Sequence, residues 1–390
     1  MTGVEKKKII IATHVYATGP AHDLREYLLQ HGVGVLLFMS HPLFFDKGLP
    51  GSRYEVYHEG KKVHERQRPV TRVPEVVAYG RDFFLNIIWS IAQGRDWDLY
   101  IGNDNLNTFA GVILKWCGRV RKVVYYVIDY NPTRFKNPVL NKIYHWIDRF
   151  CVRYADETWN LSPRMEGARK KYFGVTGGHQ YVVPLGIWFD RFKRLDFSAI
   201  DKHTLIFMGH ILKKQGVQYV LEAIPLIVQS IPDFTFLVIG GGHYLETLKA
   251  QAKQLKLDPH VRFTGYVEKH EDVEDMLVRG SLAVALYEKY DEDGRISFTY
   301  FADPGKLKSY LAGGLPILVT DVSHNAREIE AQRCGMVIEL TKESIADAVV
   351  ELMQNEHTLK EYRENAIRYA QTYNWPTIFD KAFKRMYLFK

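Results

Sequence analysis

Through both halves of the chain, short apolar runs bounded by turn residues alternate with stretches that carry apolar residues at helical spacing. A strand buried on both faces reads as a continuous apolar run, so this alternation is the pattern of parallel strands covered by helices. Lys8-Ile9-Ile10-Ile11-Ala12 passes through a Thr18-Gly19-Pro20-Ala21 turn into a helix bearing Leu24, Tyr27 and Leu28, and a second run follows from Val33 to Met39. Asp98 to Gly102 leads into a helix from Phe109 to Trp116 and then to the run Val123 to Ile128, which Asp129 and Tyr130 close. The alternation pauses around Val183-Pro184-Leu185-Gly186 and restarts at Thr204 to Met208. A helix with Val217, Val220, Leu221, Ile224 and Ile227 follows, then further strands to Ile317–Thr320. The length, 390 residues, exceeds what one core usually organises. The expected fold class is therefore α/β, with two doubly wound domains of similar size and a ligand at the carboxyl ends of strands, in the cleft between the domains. The expected boundaries are residues 1–187, 188–370 and a terminal segment 371–390.

The charge is one-sided. Residues 1–187 hold 26 Lys and Arg against 17 Asp and Glu, whereas residues 188–390 hold 26 against 28, so the formal +7 arises entirely in the first half. Such an excess suits an anionic partner, such as a membrane surface or a lipid pyrophosphate, or else a solvated helical surface. Nucleic acid is not expected, because the basic residues are dispersed among acidic ones and no recognition motif occurs. Cys117, Cys151 and Cys334 lack disulfide or zinc spacing. The apolar residues after Lys6-Lys7-Lys8 are too few for a signal segment and read as a first strand. Phe83 to Ala92, flanked by Arg81 and Arg95, is about half the ~20 residues a membrane-spanning helix needs. It reads as a buried helix, with an interfacial helix as the alternative.

Three glycine turns in the second half follow strands and precede helices: Met208-Gly209-His210, Ile239-Gly240-Gly241-Gly242 and Asp303-Pro304-Gly305-Lys306. Glycine lets a backbone approach a ligand, and the free N–H groups of a helix start favour an anion. Lys306 and Ser309 lie three apart on one helical face, with Leu307, Tyr310 and Leu311 toward the core, which places an ammonium and a hydroxyl near a helix N-terminus. A diphosphate ligand is expected there. Neither a GxGxxG after the first strand nor a GxxxxGK[ST] occurs.

These segments resemble the family 4 retaining glycosyltransferases, the glycosyl transferases group 1, of which this chain is a divergent member by its residues. Met208 to Val217 is similar to the family's strand, Gly-Arg loop and Lys-Gly helix start, Ile239-Gly240-Gly241-Gly242 to its second glycine turn, and Phe263-Thr264-Gly265-Tyr266-Val267 to its nucleobase-side segment. Lys306-Leu307-Lys308-Ser309-Tyr310-Leu311-Ala312-Gly313-Gly314-Leu315-Pro316 looks like its donor-binding helix. The resemblance implies the GT-B fold, two Rossmann-like domains facing across a cleft with a C-terminal helix, containing Trp375, that crosses back to the first domain. It also implies transfer of a sugar from a nucleotide diphosphate sugar, with retention, to a glycan, lipid-linked or other hydroxyl acceptor. The implied donor-binding residues are Gly209, His210, Lys214, Gln215, Gly240, Gly241, Tyr266, Val267, Gly305, Lys306 and Ser309. No cofactor and no metal are expected, since fixed donors hold the phosphates. The implied setting is polysaccharide or glycolipid assembly, cytoplasmic, with a peripheral seat on the inner face of the cytoplasmic membrane.

The departures are specific. The family's diphosphate-binding Arg falls on His210, its Lys on Gln215, and the two glutamates of its Glu-x7-Glu motif on Phe301 and Ser309. The expectation is a rewired donor site using Lys306, Lys213 and Lys214; an inactive nucleotide-sugar-binding protein of the same fold is the alternative, and a same-fold epimerase is a weaker one. Asp129, ending a strand where relatives carry His or His-Asp, is the catalytic candidate, with His14 beside it in the same half. Thr18, Gly19 and Arg134 are the acceptor-side candidates. The polar, aromatic segment Glu288–Tyr300 reads either as a loop closing over the sugar or as an ordinary surface loop.

Overall fold

The computed structural model describes residues 4–14, 18–42, 51–70 and 73–386. The chain divides into two compact units, Met1–Pro184 with Trp375–Lys390, and Leu185–Asn374.

The first unit is built on an eight-stranded sheet of order β4-β3-β2-β1-β5-β6-β7-β8. Its strands are β1 (Lys8–Thr13), β2 (Val35–Ser40), β3 (Arg53–His58), β4 (Lys61–Gln67), β5 (Trp97–Asn103), β6 (Val120–Val127), β7 (Glu157–Asn160) and β8 (Gln180–Val182). The helices are α1 (Pro20–Gln30), α2 (Glu75–Ala92), α3 (Asn105–Trp116), α4 (Pro138–Tyr154) and α5 (Pro163–Phe173). β1 pairs in parallel with β2 on one side and β5 on the other, so the connection reverses direction between β1 and β5. The fully buried Ile10 and Ala12 of β1 explain the continuous apolar run. The β3–β4 hairpin is antiparallel, a departure from the all-parallel expectation. β4 is exposed along its whole length, so it carries no apolar alternation to read, and its charges protect the sheet edge.

α2 also departs from expectation. It buries Leu85 and Trp89, but also Asp82, Asn86 and Ser90, while Phe84 (61%), Ile88 (57%) and Ile91 (45%) are exposed. The polar residues face inward because partners wait there: Ser52 donates to Asp82 at 3.1 Å, and His41 Nε2 meets Asn86 Oδ1 at 2.9 Å. Behind α4, Arg169 of α5 is fully buried, bonding both Asp148 oxygens at 2.8 to 3.1 Å and Asn160 Oδ1 at 2.6 Å.

The second unit carries a six-stranded sheet of order β11-β10-β9-β12-β13-β14, every ladder of it parallel. Its strands are β9 (Thr204–Met208), β10 (Thr235–Ile239), β11 (Val261–Gly265), β12 (Leu282–Ala285), β13 (Ile317–Val319) and β14 (Gly335–Val337). The helices are α6 (Val217–Ser230), α7 (Leu245–Gln254), α8 (His270–Leu277), α9 (Phe298–Phe301), α10 (Gly305–Gly313), α11 (Ala326–Ala331), α12 (Lys342–Gln354) and α13 (Glu356–Gln371). Side chains alternate along β9, Leu205 and Phe207 packing with α6 and α12, and Ile206 with α10 and α13. Here the switch in connection falls between β9 and β12.

The chain enters this unit at Leu185, whose N–H donates to Asp303 at 2.8 Å, and Ile187 forms a bridge with Asn374. These bonds put Leu185 to Ile187 with the second unit, three residues earlier than the boundary expected from the sequence. A last helix, α14 (Trp375–Arg385), belongs to the first unit. There the Tyr27 hydroxyl donates to Asp380 at 2.5 Å, Phe383 meets Trp159 edge-on, and Arg385 pairs with Glu157 at 2.9 Å. Among the described residues no helix is long and apolar enough to cross a membrane.

Candidate functional site

In the second unit the glycine turns converge at the carboxyl end of β9. Gly209 leaves the strand, and its N–H donates to Ile239 while Gly240 folds over it. A Cβ on Gly240 would lie 2.0 Å from the Gly209 carbonyl oxygen, and φ is 134°, so both space and conformation require glycine. Ile211 N–H donates to Gly241 at 2.9 Å, which binds the two loops together. Tyr266, 79% exposed, stands beside Gly241, and Val267 packs on the core behind it.

Lys306, in the first turn of α10, reaches back into this loop pair. Its ammonium donates to Gln215 Oε1 at 2.6 Å and sits over the Phe207 and Tyr287 rings, at 4.4 and 5.4 Å from their centroids. It is close enough to Gly209 that a Cβ there would stand 3.3 Å from Nζ. Burial without a carboxylate partner pushes the ammonium down to about 7. Lys306 of α10 thus places its ammonium beside position 215, where Gln215 holds it. Gly305 precedes Lys306 at the helix start, half-buried Ser309 follows one turn later, Lys214 is half-buried on the neighbouring 3-10 turn, and His210 is exposed.

Lys308 is different. Its ammonium is buried against the Asp303 carboxylate, which also accepts from His324 at 3.1 Å and from Leu185. Burial opposes ionisation of Asp303, but Lys308 and His324 outweigh it and hold the carboxyl below its ordinary value. This cluster fixes the start of α10, and Lys306, unlike Lys308, turns its ammonium toward the glycine loops. In Glu288–Tyr300, Asp291 accepts the N–H groups of Asp293 and Arg295, and Tyr290 bridges Ile296, so the segment is a self-bonded turn that runs into the first residues of α9.

In the first unit a polar cluster lies at the carboxyl ends of β1 and β5. His14 Nδ1 is 2.9 Å from Asp104 Oδ2, and Nε2 faces Asp82 at 3.6 Å. Burial disfavours the charged ring, but the two carboxylates outweigh it and raise His14 to about 9, so it is an imidazolium at neutral pH. His41, behind it, is pushed by burial and by His14 down to about 4. Asn107 bridges Asp104 and Asn86, which completes a buried chain of amides and rings. Asp104 caps α3 through the N–H groups of Leu106 and Asn107, and holds φ at 81°, a conformation that side chains rarely adopt. The sequence reading missed this residue.

His14, Asp104 and Arg134 line one cavity of about 340 Å³, between the starts of α2 and α4. Arg134 pairs with Asp129, whose carboxyl burial pushes upward despite that cation. Asp129 thus stands behind Arg134, outside the cavity lining. Thr18 is exposed, and Gly19 caps α1 with φ 147°. Neither lines the cavity.

Two α/β units, one with the 3-2-1-4-5-6 strand order and each with its polar cluster at the switch between oppositely directed connections, place the chain in the GT-B class of folds. It resembles sucrose-phosphate synthase from Thermosynechococcus elongatus with a TM-score of 0.72 at 14% identity, over 98% of both chains. Within that class the second unit is similar to the glycosyl transferases group 1, whose family model matches residues 190–372. The relatives include an alpha-D-kanosaminyltransferase of Streptomyces kanamyceticus, 24% identical over 61% of this chain and 62% of its own. A GDP-mannose-dependent alpha-(1-6)-phosphatidylinositol monomannoside mannosyltransferase of Mycobacterium tuberculosis is 23% identical over 46% of this chain and 48% of its own. The chain therefore spans about half to three fifths of the length of these curated relatives.

Proposed function

We propose that the chain is a glycosyltransferase that moves a sugar from a nucleotide diphosphate sugar to a hydroxyl acceptor, with retention and without a metal. The observation that carries the reading is the half-buried Lys306 ammonium, set beside Gly209 and held by Gln215 at 2.6 Å, with no carboxylate among the described residues to neutralise it. A half-buried cation in a glycine loop at a helix start is stabilised by an arriving diphosphate, and the N–H groups of α10 add to the attraction. Tyr266 offers an exposed ring beside Gly241 for the base, and Ser309 a hydroxyl for the sugar portion. In this reading Lys306, carried on α10, stands in for the family Arg and Lys lost at His210 and Gln215.

In the transfer, the acceptor oxygen bonds to the anomeric carbon as the bond from that carbon to the diphosphate breaks. The acceptor proton passes to the departing phosphate oxygen, and Lys306 and the α10 start stabilise the charge left there. The first unit holds the acceptor. His14, already protonated, acts there as a fixed hydrogen-bond donor rather than as a base, and Asp104, beside it, is a carboxylate placed to meet an acceptor hydroxyl in the cavity, which Glu75 also lines. The mannosyltransferase relative named for a phosphatidylinositol glycolipid supports a lipid-linked acceptor. The positive excess of residues 1–187 supports a seat on an anionic membrane surface from the cytoplasmic side.

The test is release of sugar from a panel of UDP- and GDP-sugars by the intact chain, beside Lys306→Ala. Turnover lost in the variant supports the reading. Absence of any UDP or GDP binding at millimolar concentration overturns it, and binding without turnover, with crude lipid supplied, points to the inactive nucleotide-binding alternative.

A further inference from the structure

The cavity of the first unit has two chemically distinct ends. One is polar, formed by His14, Asp104 and Arg134, with Glu75, Tyr79, Asn105 and Tyr144 adding polar groups; the apolar wall is made by Val76 of α2, Leu106 of α3, and Leu140, Ile143 and Ile147 of α4. A glycan alone would leave most of this wall against water. An acceptor carrying both a hydroxyl and an apolar chain would match both ends.

The surroundings of the mouth identify where such a molecule comes from. Ile143 is 49% exposed and Val76 63%, so two residues of the wall continue onto the surface. Beside them α4 exposes Val139 and Trp146 together with Lys142, Arg149 and Arg153, and its single acid, Asp148, is buried against Arg169. On α2 the outward residues Phe84, Ile88 and Ile91 extend the apolar area. Ring contacts join the three helices: Phe83 to Phe109 at 5.2 Å, Phe109 to Trp146 at 6.3 Å and Trp116 to Phe150 at 5.4 Å. Apolar and aromatic residues rimmed by cations, without exposed acids on α4, are what a helix needs to lie in the interface of an anionic bilayer.

We propose that this cavity binds the apolar chain of a membrane-borne amphiphilic acceptor, with the acceptor hydroxyl at the His14–Asp104 end and the chain leaving past Ile143 toward the lipid. The fate assigned to that hydroxyl rests on the transferase reading; the binding of the chain does not.

The experiment uses methyl, hexyl and octyl β-D-glucosides below their micellar concentrations, with affinity for the intact protein measured by calorimetry and no donor present. A buried methylene contributes enough that octyl should bind about tenfold more tightly than hexyl. Ile143→Glu and Val76→Glu, at exposed positions that leave the fold intact, should each weaken octyl binding at least tenfold. Ile88→Glu, outside the cavity, should leave it unchanged. Equal affinity for the three glucosides, or equal loss in all three variants, overturns the proposal, the second result marking nonspecific adsorption. UDP and GDP affinities measured on the same samples report separately on the transferase reading, so either proposal can fall while the other stands.

Discussion

If Lys306 meets the diphosphate as proposed, nucleotide affinity depends on pH in a way that can be worked out in advance. In the free protein burial holds the ammonium near 7, so at pH 9 about 99% of molecules carry a neutral amine there. A bound diphosphate restores the charged form, and binding at alkaline pH must therefore draw a proton from solution. If the neutral amine contributes nothing, the apparent Kd scales with one plus the ratio of neutral to charged lysine. It rises roughly fifty-fold between pH 7 and 9, with log Kd approaching unit slope. The nucleotide does not interfere, since a terminal phosphate has its second ionisation near 6. Calorimetric titration of UDP and GDP at half-unit steps reads the affinity directly. Repeating it at pH 8 in buffers of different ionisation enthalpy should show uptake of about 0.9 proton per nucleotide. Lys306→Gln should bind weakly at pH 7 and show neither the slope nor the uptake, and His210→Gln in parallel removes the neighbouring imidazole from the account. A wild-type Kd that stays level from pH 7 to 9 would refute the placement of Lys306 at the diphosphate, as would an unchanged slope in Lys306→Gln.

The same lysine acts on stability with a definite sign. Folded Lys306 binds fewer protons than unfolded Lys306 between about pH 7 and its ordinary value near 10.5, so its unfavourable contribution is full below 7 and fades as pH rises; Lys306→Met should raise Tm more at pH 6 than at pH 10 by calorimetry. Asp104→Asn should bring the His14 titration, followed by imidazole NMR, below its wild-type position near 9, because the largest force raising it is gone. Gly240→Ala forces a side chain against the Gly209 carbonyl at a φ of 134°, and urea denaturation should show a loss of about 1–3 kcal/mol together with weakened nucleotide binding. Arg169→Met leaves Asp148 buried and unpaired, and should cost about 3–5 kcal/mol, much of it recovered in the Arg169→Met/Asp148→Leu double variant.

The parallel strands could be read from the sequence because their burial on both faces leaves an apolar run with turn residues at each end. Ile9–Ala12 and Leu205–Phe207 are both of this kind. The β3–β4 hairpin could not, because Lys61 to Gln67 face solvent on both sides. α2 misled for a related reason: composition reports how apolar a helix is, whereas its direction of burial was set by Asp82 and Asn86 finding partners on Ser52, His41 and Asn107. At the sites, Lys306 was legible from its place after Pro304 and Gly305. Its lack of a carboxylate was not, because Asp303, five residues before Lys308, turns out to neutralise Lys308 instead. Asp104 escaped notice because its meeting with His14 depends on β1 and β5 being neighbours, a fact of sheet order that no local spacing carries. The one available signal was an Asp directly ahead of Asn105 and Leu106, in the position that caps a helix.

The two crossings of the chain between the units have a consequence for synthesis. Leu185–Asn374 is a single uninterrupted stretch and can complete its core as soon as it has left the ribosome. The other unit cannot, since Tyr27 waits for Asp380, a partner 353 residues later, and Trp159 for Phe383. The part made first is thus finished last. Until α14 arrives, the aromatic side chains around Tyr27 and Trp159 lack the helix that covers them.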